Sequence, residues 1–350
     1  MNETPDAGAP VETVALTLAE AEALSLRALT RAGADDANAR AVTAVMIAAE
    51  RDICASHGLF RLEGYVQGLT NGRVNGRAAP KVERLAPGVV AVNGDRGYAP
   101  LAFETGRSAL IEAAKTQGIA ALAIRDTHHF AALWPEVEAL MAADLCGFAF
   151  TAATPMVAPA GGARPFFGTN PMGFGFPRDP EAGPPPVFDQ ASAAMARGDV
   201  QIHARDGRPV PEGVGVGPDG LPTTDPNAVL AGAQLPFGGY KGSSLALMVE
   251  LLVGALIGQP FSYESDAAAR GGPGAPFGGE LVLALDPARF GDAGGWRTRA
   301  EAFYAALLAQ EGVRLPGARR HANRAKTAQS GIALPKSLYD TVVALAGPKG

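Results

Sequence analysis

IAALAIRD (residues 119–126), LWPEVEALMAADL (133–145) and CGFAFTAAT (146–154) stand in close succession, and their order decides the fold. The outer two are apolar runs of strand length, and the middle one has the length and apolar spacing of a helix. Strand, helix and strand in this order make a βαβ unit, with parallel strands and a right-handed crossover. The chain is therefore of α/β class. Open α/β sheets bind ligands beyond the carboxyl ends of their strands. Those ends are Thr127-His128-His129-Phe130 and Thr151-Ala152-Ala153-Thr154. No G-x-G-x-x-G follows either strand, so an ordinary Rossmann phosphate loop is absent.

Toward the N-terminus, GVVAVNGD (88–95) reads as a strand, and Ala99 to about Gln117 as a helix. Thr17 and Glu20 form a capping box for a helix to about Arg31, which Gly33 ends. Asp35 or Asp36 caps a second helix, carried by its apolar pattern to about Ala55, and a third runs from about Leu59 to Thr70. Toward the C-terminus, residues 155–242 are rich in Gly and Pro. A compact domain tolerates a loop of that length where it is functional or holds short strands, and GFGFP and PPVFD read as two of these. Ser243 to about Ile257 is a buried helix, GELVLALDP (279–287) a strand, and residues 296–310 an amphipathic helix. RLPGARR (314–320) follows, and Lys336 to Ala346 makes a terminal helix.

At 350 residues, two intertwined or sequential domains are the default. A hydrophobic content of 47% with 19% charged residues describes a globular chain with ample core material. The net charge of -5, without any block of Lys or Arg, argues against nucleic acid and anionic membrane as partners. No apolar run reaches the length of a membrane span, and the acidic N-terminus lacks the apolar core of a secretory signal. Cys54 and Cys146 lie in apolar runs without metal-ligand spacing, so they read as buried thiols in the cytoplasm. No metal site is expected.

SHGLFR (56–61) places an imidazole four residues before a guanidinium. If helical geometry resumes at His57, it and Arg61 share one face and can reach one small ligand. His gives or takes a proton near neutral pH, and Arg is a planar clamp for a carboxylate. Together they point to catalysis on a small carboxylic acid; the competing reading is a surface His beside a solvated Arg.

The ordered motifs SHGLFRLEGYVQGLTNGRVN, VAPAGGARPFFGTNPMGFGFP, VFDQASAAMARGDV, TTDPNAVLAGAQLPFGGYKGSSLALMVELLVGALIG and RLPGARR resemble the malate/L-lactate-type dehydrogenase family. That family includes sulfolactate, ureidoglycolate and diketogulonate oxidoreductases, and the resemblance runs from about residue 15 to the C-terminus. THHFAALWPE (127–136) departs from the H-F-G-x-x-G-x-Y pattern of the hydroxy-acid enzymes. With the Ser-Ser of GYKGSSLALMVE, it resembles the Δ1-piperideine-2-carboxylate/Δ1-pyrroline-2-carboxylate reductase branch. The resemblance implies a non-Rossmann three-layer α/β/α nucleotide domain with a mixed sheet, here residues 121–310. It would be inserted into a helical or α+β substrate and dimerisation domain made of residues 1–120 and 311–350. It also implies a homodimer.

What the resemblance implies about activity is NADPH-dependent reduction of a cyclic imine acid to L-pipecolate or L-proline, with NADH a possible substitute. His57 is the expected general acid, oriented by Ser56 and a carboxylate. The candidates for that carboxylate are Asp199, which the imine branch matches, and Asp189, which the wider family shares and which lies with Gln190 and Ala191 beside the cofactor. Arg61 is expected to bind the substrate carboxylate, with Thr169 a second contact; an ion pair with Glu63 and a turn before Asn170-Pro171 are the competing readings. His128, His129, Phe130, Ala131 and Ala132 are carried as cofactor-proximal, with His129 matching the family's His. Lys241 either faces the cofactor or caps a loop. Arg314, Arg319 and Arg320 suit a 2′-phosphate, and otherwise form a basic surface loop. Two other readings compete: an NAD(P)-dependent 2-hydroxy-acid dehydrogenase, and a catalytically dead ligand-binding protein on the same scaffold.

Overall fold

The computed structural model describes residues 12–129, 131–268 and 275–348. In chain order these form β1 (Thr13–Leu16), α1 (Leu18–Arg31), α2 (Asp36–Arg51), α3 (Leu62–Thr70), β2 (Lys81–Ala86), β3 (Val89–Asn93), α4 (Ala99–Gln117) and β4 (Ile119–His128). Then come α5 (Trp134–Met141), β5 (Cys146–Thr151), β6 (Met172–Gly175), β7 (Val187–Gln190), α6 (Arg197–Arg205), β8 (Gly215–Val216), β9 (Pro222–Thr223), α7 (Pro226–Ala231) and β10 (Ala233–Gln234). The last are α8 (Tyr240–Glu250), α9 (Ser262–Ala268), β11 (Phe277–Leu285), α10 (Trp296–Leu308), α11 (Ala318–Ser330), β12 (Ile332–Pro335) and α12 (Lys336–Ala346).

Seven strands make one sheet in the order β2-β3-β4-β11-β5-β6-β7, mixed because β3 and β4 alone run parallel as neighbours. β4 and β5 point the same way, since each pairs antiparallel with β11, but β11 lies between them. The crossover through α5 therefore spans one strand. β11 suits the centre because it is apolar on both faces: Leu281 turns one way, Val282 and Ala284 the other.

Helices cover both faces. Val90, Val92, Leu122 and Ile124 pack against Phe103 and Leu110 of α4 and Val137 and Leu140 of α5. On the other side Ala91, Ala123 and Phe150 meet Val249, Val253 and Ile257 of the α8 segment. The result is a three-layer α/β/α unit. A second core joins α1, α2, α3 and α12 through Leu29, Met46, Leu62, Tyr65 and Val342. The antiparallel β1–β12 pair ties the two ends of the chain together beside it. β2 and β3 carry the large sheet across the boundary expected at residue 120.

Local signals set several elements. The Thr17–Glu20 capping box opens α1, and the Asp35 side chain accepts from Asn38 N–H to open α2. α2 stops at Arg51, short of Ala55, because Asp52 is pulled into ion pairs with Arg51 and Arg324, and Ile53 turns left-handed (φ 56). The helix expected from Ser243 starts earlier, at Tyr240, and widens to a π-helical turn over Leu251–Leu256. RLPGARR is only half loop: Arg319 and Arg320 sit in the first turn of α11. Gly317 before it has φ 85, and a Cβ there would stand 2.8 Å from the Val187 carbonyl, so only glycine fits.

Candidate active site

Two short 3₁₀ turns, Ala55–His57 and Leu59–Arg61, follow α2 and hold Ser56, His57 and Arg61 on the wall of a cavity of about 1040 Å³. Gly58 separates the turns, so His57 and Arg61 do not share a continuous helical face. Their convergence has tertiary causes. Arg61 Nε donates to the Ser56 carbonyl at 2.7 Å, and its Nη1 reaches Gln201 Oε1 of α6 at 3.4 Å. α6 can come that close because residue 198 is glycine: a Cβ there would lie 2.7 Å from the Arg61 guanidinium and 2.8 Å from Ser56 Cβ.

Glu50, in the last turn of α2, supports the same turns from behind: its Oε1 accepts the Leu59 N–H at 2.6 Å. Burial raises this carboxyl from 4.5 to about 7, partly offset by the Leu59 bond. The folded state thus binds a proton that the unfolded state has already released, so this group's stabilising contribution is full below 4.5 and is lost as pH rises to 7. Glu50→Gln keeps an acceptor for Leu59 and cannot ionise. Melting curves should show it more stable than the wild type at pH 8, by at most about 3 kcal/mol, with the difference gone near pH 4; equal curves at both pH values would refute this.

His57 is not poised near neutrality. Burial first, then Arg61 and His129 beside it, push its imidazole down to about 3, so it is held neutral. Its Nδ1 is 3.2 Å from Ser56 Oγ, and its ring stands edge-on to Trp134 at 6.3 Å. Asp199, in the first turn of α6, lines the same cavity and acts electrostatically on Arg61. Among the described residues no hydrogen bond joins it to His57.

Asp189 is otherwise engaged. Its Oδ2 accepts the Leu133 N–H at 2.6 Å, capping the start of α5 from the edge strand β7. Burial raises its pKa, while the Leu133 bond and Arg320 oppose the rise. Arg320 stacks over Trp134, its Cζ 4.6 Å from the ring centre, and donates to the Val187 carbonyl at 2.9 Å. Trp134 thus touches both Arg320 and His57, and all three line the cavity.

Thr169, His129, Ala131, Gln190, Ala191, Arg314 and Arg319 also line the cavity. The neighbouring Asn170 has φ 39, and its amide donates to the Ala246 carbonyl and to Glu250, which pins the GTNP loop to α8. Three expected residues stand elsewhere. His128 is buried with Nδ1 on the Ala275 carbonyl at 3.1 Å, Ala132 belongs to the main core, and Lys241 is exposed on α8 outside the cavity. Phe130 lies outside the described residues. Gly198, Gln201 and the ring contacts of Trp134 were not read from the sequence; the small residue in ARGDV was the one local hint.

The three-layer mixed sheet holds this cavity at its strand ends, and the chain belongs to the malate/L-lactate dehydrogenase family, an oxidoreductase family whose sequence profile matches residues 16–343. Among its relatives, the Δ1-pyrroline-2-carboxylate reductase of Ancylobacter novellus is 48% identical, over 97% of this chain and 99% of that protein. The Δ1-pyrroline-2-carboxylate/Δ1-piperideine-2-carboxylate reductase of Pseudomonas aeruginosa is 46% identical, over 95% and 99%. A crystal structure of Δ1-piperideine-2-carboxylate reductase from Pseudomonas syringae pv. tomato superposes with a TM-score of 0.89 at 40% identity, covering 95% of this chain and all of that one.

Proposed function

We propose that this protein reduces cyclic imine acids, Δ1-pyrroline-2-carboxylate or Δ1-piperideine-2-carboxylate, to L-proline or L-pipecolate with NADPH. The observation that carries the reading is His57 and a half-buried Arg61 together on one cavity wall, in a chain nearly half identical to reductases named for those substrates. The cavity is large enough for a dinucleotide beside a small acid. Arg314 and Arg319, with the tight Gly317 turn, offer the cationic cradle that a phosphorylated nucleotide needs. A bound reduced nicotinamide supplies the hydride.

The chain's own residues do the rest. Arg61, oriented by the Ser56 carbonyl, takes the substrate carboxylate. That anion offsets the Arg61 charge, one of the influences holding His57 neutral, so substrate binding makes the imidazole more basic. His57 then holds the proton at the ring nitrogen of the substrate, with Ser56 Oγ on its Nδ1. Asp199 balances the cationic imine and disfavours a developing oxyanion. This favours C=N over C=O. NADPH consumption should be much faster with the two imine acids than with pyruvate or oxaloacetate; the reverse order would replace the reading with a 2-hydroxy-acid dehydrogenase.

Cofactor choice divides the three arginines. All three line the cavity; Arg320 also stacks on Trp134 and donates to the Val187 carbonyl, so the 2′-phosphate is assigned first to Arg314 and Arg319. Neutralising whichever of these engages it should weaken NADPH about tenfold or more and spare NADH, read by nicotinamide fluorescence titration. Equal losses for both cofactors would make the loop structural.

The enzyme acts as a homodimer in the cytoplasm. Tyr240 and Leu247 of α8 and Leu251 of the π-helical turn after it are exposed at helical spacing, an apolar stripe that suits a second copy, and both cysteines are free thiols. Leu247→Glu should convert the dimer to monomer in sedimentation velocity; a wild type that is already monomeric removes this part of the reading.

A further inference from the structure

Behind the cavity wall, His129, Glu136 and Glu280 bring one ring nitrogen and two carboxylate oxygens within 4.8 Å of one another, and all three residues are buried. Glu280 is the sole charged residue of β11. A register shift between Gly278 and Glu280 precedes it, and it shares the face of Val282 and Ala284, the face that α5 covers. Glu136 stands in the first turn of α5. His129 is the member of the trio that lines the cavity.

Five of the six side-chain polar atoms of this trio are unsatisfied. His129 Nε2 lies 3.4 Å from Glu280 Oε2 without hydrogen-bond geometry. Both ring nitrogens, both Glu280 oxygens and one Glu136 oxygen make no hydrogen bond. Two carboxylates this deep and this close cannot both stay ionised. Burial first, then the charge of Glu280, hold Glu136 protonated well above the ordinary carboxyl range. Asp189 from β7 and Glu104 from α4 add in the same direction, and the Tyr65 hydroxyl of α3 also feels Glu136.

We propose that Glu136 and Glu280 share one proton and act through His129 as positioning residues, setting its tautomer and its ring position on the cavity wall. With that proton in place, a small shift of the side chains lets the Glu136 O–H donate to one Glu280 oxygen while the other accepts from His129 Nε2–H, now 3.4 Å away. Loss of the shared proton at high pH leaves two repelling carboxylates and releases the ring. The bulge in β11 aims Glu280 into this arrangement.

The kinetic part of the test rests on the reductase reading above; the spectroscopic part does not. Infrared difference spectra of the full-length protein at pH 8 should show a carboxylic-acid C=O band that is missing from Glu136→Gln. In Glu136→Gln the side-chain amide donates permanently, so kcat at neutral pH should stay near wild type while its alkaline fall disappears. Glu280→Gln replaces one of the two acceptor oxygens by an N–H donor, so Glu136 and His129 can no longer both donate to it, and should lower kcat about tenfold or more with little change in KM. If Glu280→Gln does not fold, the Glu136→Gln profile and the wild-type spectrum still decide. A missing acid band, an unchanged alkaline limb in Glu136→Gln, or one tightly held divalent metal per chain by elemental analysis would each overturn the proposal. An acid band in a protein without imine turnover would instead sink the reductase reading and leave the shared proton standing.

Discussion

His57→Ala is expected to lower kcat for the imine acids by about 10²–10⁴-fold, the range of a positioned proton-handling group, while NADPH binding changes little. The imidazole sits on the turn after α2, and the arginines that suit the nucleotide come from the first turn of α11 and the loop before it, so one can be lost without the other. The neutral state of His57 sharpens the expectation. Because burial and Arg61 push its pKa to about 3, kcat/KM should show no acid limb from this group between pH 5 and 8. Parallel loss of NADPH affinity in His57→Ala, measured by fluorescence titration, would show that the imidazole serves the cofactor instead.

Arg61→Lys should act on KM. It keeps the charge but loses the planar fork and the Nε–H that the Ser56 carbonyl holds at 2.7 Å. Weakening about 1–3 kcal/mol of charge-assisted bonding corresponds to a rise in KM of about tenfold to a hundredfold. The effect should be confined to the acid substrate, with KM for NADPH near the wild-type value. An unchanged KM for the imine acid would remove Arg61 from the carboxylate position.

Much of the site was legible because its residues lie in long ordered motifs. SHGLFR, GTNP, VFDQAS and RLPGARR all reach the cavity. Spacing alone misjudged how they reach it. The i, i+4 argument for His57 and Arg61 assumed a helix that Gly58 interrupts, and the two heads meet through the Ser56 carbonyl and the approach of α6 instead. Glu280 escaped notice because an acid inside an apolar strand carries no motif. Its meaning comes from Glu136, more than a hundred positions earlier in the chain.

The sequence by itself determined the elements whose causes are local: the Thr17–Glu20 cap of α1, the full span of α4 and the terminal helix α12. It also determined the α/β class and the family, since both rest on the order of residues along the chain. Only the tertiary structure decided that β11 enters between β4 and β5, because a strand's neighbour is chosen by pairing with distant residues. The same holds for Asp189 and Asp199, two carboxylates alike in sequence. One is spent capping α5, and the other lines the cavity within electrostatic reach of Arg61. The protonation of His57 was equally out of reach, because desolvation and the fields of Arg61 and His129 exist only once those groups are packed together.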